Sequence, residues 1–218
     1  MAAAALAVGI ATSNAQVYSA NVVGYVAVTP TANQYALWCN PLDLDGVDCI
    51  TNVFSTAPKG TIIQLWNGTG FTTVSRALIG AGAWSANAGT NYVYPGVGFF
   101  ISTPSAWTNT FVGTVIPTGG ATNTTALTAN IYTLVGSTLP VSGTITNAVD
   151  QGPNTLNLGS CLAKGSIIQI WNGSGFTTVS RALIGAGIWS TNPTITVGEG
   201  FFLSSPATTN WQQTLSAP

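Results

Sequence analysis

The chain has 218 residues, enough for one large or two small β domains, with four basic residues, five acidic residues and no histidine. Charged residues make up 4% where an ordinary globular chain has about a quarter, yet apolar residues at 46% supply enough core material. A net charge of −1 excludes the cationic field that nucleic acid or an anionic membrane requires, and the absence of imidazole excludes a histidine-based triad.

Taken in order, the N-terminus MAAAALAVGIATSNAQ has a short apolar run and then the small residues Ser13-Asn14-Ala15. It reads as the apolar and cleavage parts of a secretory leader over 1–15, with the mature chain starting near Gln16; the competing reading is an Ala-rich buried helix. No later segment approaches the roughly 18 consecutive apolar residues of a membrane span. Residues 17–29 (VYSANVVGYVAVT) are rich in β-branched and aromatic residues and predict an extended leading strand. Thr110–Val115 (TFVGTV) repeats its Val-Gly-x-Val pattern and is read as the leading strand of a second unit, with Pro117–Thr125 as a surface loop.

Asp43-Leu44-Asp45-Gly46-Val47-Asp48 is the one concentration of charge. Alternating carboxylates around a glycine bend suit a hard cation such as Ca²⁺, with Asp43, Asp45 and Asp48 as ligands; a solvated turn is the competing reading. Cys39 and Cys49 flank this run, and in an oxidising compartment a disulfide between them would staple it.

Residues 59–82 (KGTIIQLWNGTGFTTVSRALIGAG) recur at 164–187 (KGSIIQIWNGSGFTTVSRALIGAG) with three mild differences in 24 positions. Each copy predicts a hairpin: a strand ending at Trp66 or Trp171, an Asn-Gly turn, and a return strand from Phe71 or Phe176. Ala77–Ile79 and Ala182–Ile184 fit a single helical turn. Arg76 and Arg181 occupy equivalent places and predict a specific partner, either Asp150, Glu199 or a cluster of backbone carbonyls. Both copies run on to a tryptophan (Trp84, Trp189), a Gly-x-Gly-Phe-Phe strand (Gly96–Phe100, Gly198–Phe202) and a closing tryptophan (Trp107, Trp211). Most of these aromatics read as core. Trp66 and Trp171, beside the hairpin turns, are the candidates for stacking on sugar rings.

Short β-rich runs broken by Gly, Pro and Asn predict an all-β fold of two tandem, related sandwich- or barrel-like units, over 16–109 and 110–218. One larger sandwich is the alternative. Nothing in the inventory assembles an enzyme: the aspartates are too local to flank a scissile bond, and no phosphate-binding loop is present.

The Val-Gly-Tyr-Val opening with Trp-Asn-Gly and Gly-x-Gly-Phe-Phe in two copies resembles uncharacterised secreted tandem-repeat β proteins of environmental bacteria. The uncharged, Thr/Asn/Gly-rich composition is similar to subunits of extracellular filaments and surface layers. A near-neutral surface opposes contact between copies only weakly. The expectation is therefore a secreted structural subunit that binds copies of itself through the strand residues Val17, Tyr18, Val22, Val23, Tyr25, Val26 and Val28. A cell-surface adhesin or glycan-binding module using Trp66 and Trp171 is the alternative.

Overall fold

A computed structural model describes residues 23–117 and 120–216. The first half contains β1 (Val23–Val28), β2 (Tyr35–Cys39), α1 (Ile50–Val53), β3 (Ile62–Trp66), β4 (Phe71–Ser75), β5 (Gly98–Ser102) and β6 (Asn109–Thr114). The second contains β7 (Thr122–Leu127), β8 (Thr133–Gly136), β9 (Gly143–Thr144), α2 (Leu158–Cys161), β10 (Ile167–Trp171), β11 (Phe176–Ser180), β12 (Thr194–Ile195), β13 (Gly200–Ser204) and β14 (Thr209–Thr214). The fold is all-β; α1, α2 and a 3₁₀ turn at Ala148–Asp150 are each a single turn.

Each half builds one antiparallel four-stranded sheet, in the order β2-β5-β3-β4 and β8-β13-β10-β11. Each also closes a two-stranded ribbon, β1 with β6 and β7 with β14, and β9 pairs with β12. The predicted hairpins form β3–β4 and β10–β11 in the expected register, Trp66 facing Phe71 and Trp171 facing Phe176. At the first turn the Asn67 side-chain oxygen accepts from the backbone N–H groups of Thr69 (3.0 Å) and Gly70 (2.9 Å), while Gly68 takes a φ of 99° that a side chain would resist.

Strand pairing overturns the reading around residue 110. β6 lies against β1 over six residue pairs, from Val23 with Thr114 to Val28 with Asn109, so this strand closes the first ribbon and does not open a second unit. The segment read as a loop supplies β7, which pairs with β14 through Thr125 and Trp211. Thr-rich polar strands look like loops because only one face of β7 is covered, and Leu127 is its one fully buried residue. The predicted leading strand is therefore not spare: Val23, Tyr25, Val26 and Val28 belong to β1. Val17, Tyr18 and Val22 lie outside the described residues.

In each half the sheet's inner face meets the ribbon and the short helix. Ile63, Val74, Phe99 and Ile101 pack with Val26, Phe111, Ile50 and Phe54 in the first half. Ile168, Val179, Phe201 and Leu203 pack with Leu127, Trp211 and Leu158 in the second. The central strands β5 and β13 are buried on both faces, which is why Gly-Phe-Phe-Ile and Gly-Phe-Phe-Leu read as unbroken apolar runs.

Candidate functional site

The outer faces of the two sheets meet at a seam. Leu37 and Phe100 from the first half close on Leu134 and Phe202 from the second, rimmed by Trp66, Tyr132 and Trp171. The contacts are reciprocal. The indole N–H of Trp66 donates to the Tyr132 carbonyl (2.8 Å), and that of Trp171 to the Tyr35 carbonyl (2.7 Å). Cys39 N–H donates to Gly198 O (2.9 Å), and Gly136 N–H to Gly96 O (3.0 Å). The rings cross edge to face: Trp66 with Phe202 at 5.6 Å and Trp171 with Phe100 at 5.4 Å. Burying a large apolar side chain contributes roughly 1.5–3 kcal/mol, and an edge-to-face pair about 1 kcal/mol more. Both tryptophans proposed for sugar stacking thus clasp the seam, each with its one donor already committed.

Two hollows flank the clasp. On the Trp66 side, Trp66, Phe71, Phe100, Tyr132, Phe176 and Phe202, with Gln169, line an apolar cleft of about 350 Å³. On the Trp171 side a groove of about 430 Å³ is lined by Thr31, Gln34 and Tyr35 from the first half and by Trp171, Thr196 and Glu199 from the second. Glu199 Oε2 accepts from Thr196 N–H (2.8 Å) and its hydroxyl (2.9 Å), which fixes the carboxylate. Neither a protein-family model, nor a curated protein, nor a solved structure matches this chain.

The expected ligands Asp43, Asp45 and Asp48 do not gather into one cluster. Among the described residues no three His, Cys, Asp or Glu side chains converge on one point. Asp43 Oδ1 accepts from Gly46 N–H (2.9 Å), making an ordinary turn. Asp48 points inward and is fully buried. Its Oδ1 accepts from the Asn40 amide (3.0 Å) and Leu44 N–H (3.1 Å), while Oδ2 has no partner. Burial, then the neighbouring Asp43, raises its pKa from 3.8 to about 6. The two carboxyl groups stay neighbours although Asp43 serves the exposed turn and Asp48 the core.

The Cys39–Cys49 disulfide does not form: both are free, buried thiols. Cys39 sits in the seam, donating toward Ser137 O (3.6 Å), and burial pushes its pKa to about 12. Cys49 lies at the start of α1, its sulfur 3.2 Å from the Thr51 hydroxyl.

Of the partners proposed for the arginines, carbonyls are the right ones. Arg76 donates to Gly82 O (2.9 Å), Ser55 O (3.2 Å) and Ala57 O, and lies 5.9 Å from the centre of the Trp84 ring. Arg181 repeats this with Gly187 O (3.0 Å), Gly159 O (3.2 Å), Leu162 O and Trp189. Lys59 and Lys164 donate to Gly80 O (2.6 Å) and Gly185 O (2.5 Å). All four cations therefore brace one kind of loop, residues 77–83 and 182–188. The loop is a bend and not the helical turn expected, because the backbone takes positive φ at Gly80, Gly82, Gly185 and Gly187. Its tip is apolar and bare: Leu78 is 69% exposed, Ile79 86%, Leu183 71% and Ile184 87%. The helical-turn reading hides this exposure, although Leu-Ile followed by Gly-Ala-Gly, close to the chain's few cations, is the local sign of it.

Proposed function

We propose that this chain is a secreted structural subunit that associates with copies of itself into an extracellular filament or surface array. The observation that carries the reading is the pair of braced apolar loop tips, Leu78–Ile79 and Leu183–Ile184. Scattered exposed apolar residues are normal, but two adjacent large aliphatics displayed twice on hydrogen-bonded loops fit protein contact. Because Arg and Lys already hold these loops, little conformational freedom is lost when the tips dock. Two equivalent tips make each chain bivalent, and bivalent contacts propagate where a single one would stop at a dimer.

The seam between the halves lies within one chain and leaves the contacts between copies to other surfaces. Strand addition remains an auxiliary route at the outer edge of β1, which pairs with β6 alone among the described residues. Sedimentation and electron microscopy test the reading. The purified protein is expected to form oligomers that lengthen with concentration, Ile79→Asp alone to stop at small species, and Ile79→Asp with Ile184→Asp to be monomeric at an unchanged melting temperature. Monodisperse monomer of the unaltered protein at high concentration defeats the proposal.

A further inference from the structure

We propose that the groove beside Trp171 is a binding site for a neutral saccharide, and that the Trp66 side of the same seam is not. The contrast arises where the two halves differ. Aligning Thr31–Leu37 with Thr128–Leu134 sets Gln34 against Ile131, and aligning Gly96–Phe100 with Gly198–Phe202 sets Glu199 against Val97. Gln34 and Glu199 line one groove with Trp171, and their counterparts in the other half are the aliphatic Ile131 and Val97. This groove therefore carries an amide and the chain's single glutamate at positions whose equivalents are aliphatic.

The chemistry of the groove matches a ring that is apolar on its face and hydroxylated on its edge. Trp171 and Tyr35 supply aromatic walls; Gln34, Thr31 and Glu199 supply donors and acceptors. Both bonds that hold Glu199 go to Oε2, leaving Oε1 for a ligand hydroxyl. Gln34 is exposed and its amide oxygen lies 3.9 Å from where a side chain on Gly173 would begin, so it spans the seam toward the second hairpin turn. The walls are preset: Trp38 and Glu199 form a backbone bridge, and Cys39 N–H is bonded to Gly198 O at 2.9 Å. Charge selects the ligand class. None of the four cations lines the groove, and its one carboxylate repels anions, so uronic or sulfated sugars are excluded and neutral ones admitted.

The test uses the full chain carrying Ile79→Asp and Ile184→Asp, so that association does not enter the reading. Neutral hexasaccharides of glucose, galactose, mannose and N-acetylglucosamine are titrated, with tryptophan fluorescence and calorimetry as readouts. At least one is expected to bind saturably. Gln34→Ile with Glu199→Val, which gives the groove the residues of its counterpart, is expected to weaken that binding at least about tenfold with an unchanged melting temperature. Glu199→Gln keeps an acceptor for Thr196 and should weaken binding less. No binding to any of the four overturns the proposal, as does equal binding by the double variant.

Discussion

Asp48 is the residue at which burial and charge conflict most. Its pKa is raised in the fold, from 3.8 to about 6, so between those values the native chain holds a proton that the unfolded chain has released. The associated stability is fully present below about pH 3.8 and is lost as pH rises through about 6. Asp48→Asn keeps the acceptor for Asn40 and Leu44 and adds a donor toward Asp43. Denaturant unfolding at a series of pH values should show the unaltered protein falling relative to this variant between pH 4 and 6.5, and the variant more stable at pH 7 by about 2 kcal/mol. A parallel pH dependence for the two proteins would refute the assignment. The arginines make the opposite arrangement: their charge is spread over three carbonyls and a ring, and of the three partners that their equivalent placement left open only the carbonyls are used.

Among the elements, the edge of β8 shows how little room the seam allows. A Cβ on Gly136 would overlap the side chain of Cys39, and one on Gly200 would press on the Trp38 carbonyl. Gly136→Ala should therefore destabilise the protein by about 1–3 kcal/mol and expose the Cys39 thiol to labelling reagents that the unaltered protein resists. Unchanged labelling would mean that the strands separate without disturbing the seam. The hairpins were legible because Asn-Gly turns and period-two strands are local features, and β5 and β13 because their apolar runs are unbroken. β7 was not legible. Its partner β14 lies about ninety residues downstream, from Thr122 to Thr214, and a polar strand owes its existence to such a partner.

For the whole molecule, the low charge has a consequence that can be measured. Association through aliphatic loop tips on a near-neutral surface should change little between 50 and 500 mM sodium chloride, because almost no charge is present to screen. Sulfate at the same ionic strength should strengthen it by disfavouring exposed apolar surface. Dissociation by sodium chloride, followed by light scattering, would show instead that ion pairs hold the copies together.

Composition and local pattern alone determined the all-β class, the duplication, both hairpins, the aromatic core strands and the equivalent placement of the two arginines. Each depends on contacts between near neighbours or on the summed chemistry of the chain. Tertiary structure alone decided which strand closes which ribbon, that Cys39 and Cys49 stay apart, that Asp48 turns away from Asp45, and that Trp66 and Trp171 clasp a seam. These follow from long-range pairing, in which one β residue meets whichever distant segment the sheet order brings to it. The groove shared by Gln34 and Glu199 belongs with them: 165 positions apart in the chain, they line one hollow because two similar sheets pack outer face to outer face.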